Sequence, residues 1–244
     1  MLTVGFDEAP RATDPRLVGF DANSQYLEEL RFLPLVSFDE EGKTRPLVAE
    51  TITATDASTF VVKIRPGLKF ADGKPITPHD VVATYRHMLQ PSGNFPPSPR
   101  KGAFEGVLSV FKSSADEVTF KLRKPDAAFP TNLVIGILPE HASSAEPEKV
   151  DGKGFESGPY ILESRTESEW ILARNEAFDG SAIGIPSSHH SKVRFLIIRD
   201  ETTRYAALVR GDIDILQNAL DADRVAAIQR NPKLKVMTRP RMGL

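Results

Sequence analysis

"IRPGLKFADGKPITPHDVVATYRHM" occupies residues 64–88. Just upstream, Phe60, Val62 and Ile64 alternate with Val61 and Lys63, the period of two expected for a strand. Pro66-Gly67 supplies a turn, with proline presetting φ and glycine free to take a positive one. Leu68 and Phe70 resume the alternation, and Asp72-Gly73 signals a second tight turn. Thr77, Pro78 and Asp80 then form a strong helix start: a hydroxyl N-cap, proline at the first helical position and an acid in the first turn. Val81, Tyr85 and Met88, with Val82 and Leu89 beside them, provide the apolar face. The stretch reads strand, turn, strand, turn, helix.

The remaining chain is mixed. Residues 2–6 read as a strand, and Ser24 to Leu33 as a helix with Tyr26, Leu27, Leu30 and Leu33 at helical spacing. A polar hairpin turns at Glu41-Gly42. Four prolines and two glycines make residues 89–102 a loop. Val118, Phe120 and Leu122 alternate as a strand, Phe129 to Asn132 form a short helix, and Leu133 to Leu138 a buried strand. Tyr160 to Glu163 and Trp170 to Arg174 form a hairpin. The last third changes character. Val193 to Ile198 is a near-continuous apolar run, which suits a strand buried on both faces. Asp200 caps a helix through Val209 that Arg210-Gly211 closes, and Ile213 to Leu216 is a second buried strand. Asp221 caps a helix to Gln229 that Asn231-Pro232 stops, and Lys235 to Thr238 is a third strand. Strand, helix, strand, helix, strand implies parallel pairing.

Composition narrows the function. At 40% hydrophobic over 244 residues the chain can build a core. Its net charge of −2 gives no electrostatic reason to expect nucleic acid, and no run of apolar residues is long enough to span a membrane. The N-terminus reads as a strand and not as a signal peptide. With no cysteine, disulfides, thiol catalysis and cysteine-built zinc sites are excluded.

A search for chemistry finds no catalytic constellation. His189-His190 lies in a Ser-rich loop and reads as solvated, not as a metal site. His79 and His87 read as surface residues, and His141 has no thiol to pair with. There is no nucleophile-elbow motif and no phosphate-binding glycine pattern. Asp212 and Asp214 are two apart, but Asp212 follows a helix-ending glycine and reads as a turn residue. Trp170 reads as core. No metal and no cofactor is expected.

The segment "LVAETITATDASTFVVKIRPGLKFADGKPITPHDVVATYRHML" resembles the signature of the family 5 extracellular solute-binding proteins of ABC transporters, the dipeptide, oligopeptide and nickel binders. Ala49-Glu50, Arg65, Gly67, Lys69-Phe70, Asp72-Gly73, Pro75, Thr77 and Asp80-Val81 carry the match. "TDPRL" at 13–17 is similar to the family's Asp-Pro loop, and "ILPEHA" to its Pro-x-His segment. "ESGPYIL" at 156–162 is similar to its Gly-Thr-Gly-Pro-Tyr motif, with Glu156-Ser157 in place of Gly-Thr. "LARNEAFDG" and "ETTRYAALVRGDIDIL" resemble its later elements.

The resemblance implies a mixed α/β fold: one lobe of a periplasmic-binding-protein-like (type II) architecture carrying an inserted α+β subdomain. Residues 1–38 and 155–244 would form the first lobe and 39–154 the insertion, with the opening stretch serving as scaffold. A full member is about twice as long, so the second lobe is expected to be absent. The implied function is the receptor of an ABC importer, periplasmic or extracytoplasmic, capturing a peptide or other small solute for permease subunits. It would meet the membrane only through the permease or a lost lipid anchor. A ligand-sensing domain of a transcriptional regulator is the alternative, distinguished by an upstream DNA-binding domain. Because open α/β sheets bind ligands beyond the carboxyl ends of their strands, the expected solute contacts are Phe6, Asp7 and Glu8 after the first strand and Gln217 and Asn218 after "DIDIL". Asp7 and Glu8 would attract a cationic end, and Gln217 and Asn218 would exchange hydrogen bonds.

Overall fold

A computed structural model describes residues 1–90, 95–142, 150–151, 154–217 and 220–237. In chain order its elements are β1 (Leu2–Phe6), α1 (Ala22–Arg31), β2 (Val36–Phe38), β3 (Thr44–Pro46), β4 (Ala49–Asp56), β5 (Thr59–Ile64) and α2 (Pro78–Leu89). There follow β6 (Val107–Lys112), β7 (Glu117–Leu122), β8 (Tyr160–Arg165), β9 (Glu169–Arg174), β10 (Lys192–Ile197), α3 (Glu201–Arg210), β11 (Ile215–Leu216) and α4 (Ala222–Arg230). Short 3₁₀ turns cover Lys101–Phe104, Phe129–Asn132, Glu140–Ala142 and Ser181–Ile183.

The chain's two ends build one sheet and its middle another. In the five-stranded sheet, ordered β11-β1-β10-β9-β8, β1 runs parallel to β10 and to β11, while β10, β9 and β8 are antiparallel. The strands of the last third are thus parallel as expected, but β10 and β11 pair with β1, which lies between them, and not with each other. Its core joins Val4, Phe6, Leu27, Trp170, Leu172 and Phe195. The four-stranded sheet, ordered β4-β5-β7-β6, is antiparallel. Its alternating residues Phe60, Val62, Ile64, Val118 and Phe120 pack on Tyr85 and Met88 of α2. Tyr85 sits edge-on to Phe120 at 5.2 Å and tilted to Phe104 at 5.5 Å.

The opening stretch folds largely as its chemistry dictates. Gly67 and Gly73 take φ of 88° and 85°, a region where a side chain would be strained. Between them the expected second strand reduces to one bridge, Lys69 to Pro75. The Thr77 backbone N–H and hydroxyl both donate to Asp80 Oδ2 at 2.7 Å, which closes the capping box. Asp80 Oδ1 also accepts the Glu140 N–H at 2.8 Å, so one cap carboxylate docks the "ILPEHA" segment on α2.

Several expectations change. Helix α1 starts earlier, capped by Asp21, whose side chain accepts the Ser24 N–H at 2.9 Å. Ser24 instead faces the preceding loop and accepts the N–H groups of Arg11 and Ala12 at 2.8 and 3.0 Å. Residues 133–138 are buried, apart from half-buried Val134, but form no strand: their backbone makes isolated bonds to Leu33 and Val36 and one bridge to Pro34. On β10, Val193 and Phe195 are buried while Arg194 and Leu196 are only half-buried, because one face alone meets the core. Ile213 is buried, but β11 is just two residues long and Ile215 is exposed. Residues 235–237 form no strand, and Thr238 lies outside the described residues. His87 is half-buried, edge-on to Phe95 at 4.5 Å, and desolvation together with Arg16 lowers its pKa.

The "ESGPY" motif joins the two chain ends. Glu156 Oε1 accepts from the buried Arg31 guanidinium at 2.9 Å and from the Leu162 N–H at 3.2 Å. Arg31 also pairs with Asp151 at 3.0 Å and donates to the Thr13 carbonyl at 3.2 Å. Ser157 Oγ accepts the Leu33 N–H at 2.9 Å. A Cβ on Gly158 would lie 2.7 Å from the Leu30 carbonyl oxygen, so only glycine lets this strand lead approach α1. Glu156, which departs from the family's usual glycine, thus fills a polar role against Arg31.

Candidate functional site

Parallel pairing brings the carboxyl ends of β1, β10 and β11 to one edge of the five-stranded sheet. Phe6 stands opposite Ile197, and Gly5 opposite both Leu196 and Leu216. The residues beyond the three strands therefore collect at that edge: Asp7-Glu8 after β1, Ile198-Arg199-Asp200 after β10 and Gln217 after β11. The loop after β1 enters α1 through its Asp21 cap, and α3 begins with Asp200, whose carboxylate accepts the Thr203 N–H at 2.7 Å and hydroxyl at 2.6 Å. Those bonds lower the Asp200 pKa.

The predicted residues divide. Phe6 is 0% exposed, with its ring 4.7 Å from Phe195 and 6.4 Å from Tyr26. Its side chain is a core element beneath the edge and presents no surface to a solute. Asp7 is half-buried and Glu8 exposed. Both line a depression of about 130 Å³ together with Ala9, Asp21, Ala22 and Asn23. Gln217 is half-buried and comes directly after Leu216, which stands opposite Gly5. Asn218 lies outside the described residues.

Asn23 was not legible as a site residue. It is 7% exposed, and its Nδ2 donates to Asp7 Oδ1 at 3.1 Å and to the Glu8 carbonyl at 2.8 Å. Its Oδ1 is buried without a partner. The Asp7 carboxylate also accepts the Glu8 N–H at 2.9 Å, so its orientation is held from two sides. Glu8 pairs with Arg11 at 3.2 Å on the open side. The only sequence signal for Asn23 was its place just after a helix cap. The depression thus offers acceptor oxygens on a fixed frame, suited to a ligand's N–H or ammonium group.

No cluster of three or more metal-ligating side chains occurs among the described residues. His189 and His190 are exposed, and the His190 carbonyl accepts the Tyr160 hydroxyl at 3.1 Å. Asp212 is exposed and paired with Arg210 at 2.8 Å. Asp214 ties β11 to β1: its carboxylate accepts the Thr3 N–H at 2.7 Å, and its own N–H reaches the Thr3 carbonyl at 2.8 Å. Trp170 is core, with Arg165 stacked 5.6 Å from its ring.

The candidate site is thus a polar edge at parallel strand ends, where α1 and α3 begin. The sequence profile of the bacterial extracellular solute-binding proteins, family 5 (middle), matches residues 43–244, and the chain belongs to this family. It is 31% identical over 232 residues to the oligopeptide-binding protein AppA of Bacillus subtilis, covering 91% of this chain and 41% of AppA. It is 32% identical over 194 residues to the peptidoglycan-binding protein YepA of Agrobacterium fabrum, covering 75% of this chain and 31% of YepA. The solved structure of B. subtilis AppA in complex with a nonapeptide superposes with a TM-score of 0.74 at 27% identity, covering 87% of this chain and 42% of that one. The chain thus spans less than half the length of these relatives, and its mixed α/β fold is that of the family.

Proposed function

We propose that this chain forms one wall of the solute-binding cleft of an ABC-importer receptor, and that the solute is a peptide handed on to permease subunits outside the cytoplasmic membrane. The observation that carries the reading is the likeness to an oligopeptide-binding protein, in sequence and in fold, along about nine-tenths of this chain. Asp7, Glu8 and Gln217 are the contacts, with Asn23 holding the Asp7 carboxylate in place. The acidic pair receives the amino end of the peptide, and Gln217 bonds its backbone. In the same reading residues 39–154 are an inserted scaffold, supported by the confinement of the four-stranded sheet to residues 49–122. The protein captures its solute without transforming it.

The test is calorimetric titration of short peptides into the receptor and its Glu8→Ala and Gln217→Ala variants. Each lost hydrogen bond is worth about 0.5–1.5 kcal/mol, so each variant should bind roughly 2- to 13-fold more weakly. Unchanged affinity in both variants would remove the contacts, and an absence of saturable binding by any peptide would remove the solute class.

A further inference from the structure

A depression larger than the one at the strand-end edge lies elsewhere. It measures about 440 Å³ and lies between the end of α2 and β6. Strand β6 is the outermost strand of its sheet, next to β7 alone. An edge strand presents backbone N–H and C=O groups that another chain can pair with. Phe104, Val107 and Val110 beneath the depression are buried in the core, and the apolar side chain it exposes is Leu108 of β6, 56% exposed. The rim carries Arg86, Lys101 and Arg123 against a single carboxylate, Glu105. Among the described residues these three cations enter no ion pair, although Arg86 donates to the Val110 carbonyl of β6 at 3.5 Å, whereas the neighbouring Arg100 is held by Glu28 at 3.1 Å. In a chain of net charge −2 this is a local excess of positive charge beside the outermost strand of the sheet.

We propose that this groove docks an extended acidic segment of a partner protein, which adds to β6 as a strand. Such a segment alternates its side chains between two faces. Apolar ones meet the exposed Leu108 while carboxylates meet Arg86, Lys101 and Arg123, and the backbone pairs with the edge. Cations beside an edge strand also keep identical edges apart. That role alone predicts no affinity for an acidic strand, which makes the two separable.

The probe is a fluorescently labelled acetyl-Glu-Val-Glu-Val-Glu-Val-amide, titrated into the chain by anisotropy at low and high salt. Saturable binding that weakens with salt is expected. Combined Arg86→Glu, Lys101→Glu and Arg123→Glu exchange should weaken it by about tenfold or more, the sum of three surface charge pairs. The same peptide N-methylated on alternate residues keeps its charge but cannot pair as a strand, and it should bind more weakly than the parent. Circular dichroism checks that the exposed substitutions leave the fold intact, and single exchanges replace the triple variant if it does not fold. Any of four results overturns the proposal: no saturable binding, equal binding by the charge-reversed chain, equal binding of the N-methylated peptide, or salt-sensitive dimerisation of the chain through this edge in sedimentation.

Discussion

Replacing Glu28 by glutamine should remove a large share of the pH dependence of this protein's stability. Glu28 lies on α1 and is 7% exposed. Its Oε1 accepts the Gly136 N–H at 3.0 Å, and its Oε2 accepts from Arg100 at 3.1 Å. The charged groups around it are Arg100, adjacent Glu29 and the buried Tyr85, whose own pKa is raised by burial and by Glu28. Desolvation dominates, outweighs Arg100 and the Gly136 N–H, and lifts the Glu28 pKa from 4.5 to about 7. The folded state therefore holds this proton more tightly than the unfolded one. Its stabilising effect is fully present below pH 4.5 and is lost as the pH rises through about 7. At about 1.4 kcal/mol per pH unit, the swing is on the order of 3 kcal/mol, or about 10 °C in melting temperature for a chain of this size. Thermal melts of the wild type and Glu28→Gln across this window give the test. The wild type should lose stability relative to the variant as pH rises, whatever constant offset the amide introduces beside Arg100. Parallel pH profiles would refute the burial argument.

Local geometry sets two further outcomes. Gly158→Ala should destabilise the chain by about 1–3 kcal/mol in urea unfolding, because its Cβ would meet backbone atoms of Leu30 and Arg31 at 2.7–2.8 Å, which cannot turn aside. Asp80→Ala removes both the cap of α2 and the acceptor for Glu140. About 1–2 kcal/mol should be lost, and amide exchange should speed up at Thr77 and Glu140 in particular.

Much of the architecture was legible in the order of the residues. The β5 alternation, the two glycine turns, the Thr77–Asp80 cap, the β8–β9 hairpin and the Asp200 and Asp221 caps are short-range signals, each complete within about a dozen residues. The family signature added the lobe architecture. Strands β4 and β6 escaped notice because their alternation is diluted, by threonine, alanine and acids in β4 and by an exposed Leu108 in β6. Leu133–Leu138 misled for the opposite reason: an apolar run records burial, not hydrogen-bond partners, and here no ladder formed. At the candidate site, sequence located the strand ends and so Asp7, Glu8 and Gln217. It could not tell that Phe6 turns inward onto Phe195, nor that Asn23 reaches back to Asp7. Arg31 with Glu156, 125 residues away, and Glu28 with Gly136, 108 away, are of the same kind. Turns, caps and periodicity act between neighbours and can be read in one dimension. Which face is buried, and which distant charge or amide meets it there, is decided only when the packed chain excludes water from both partners.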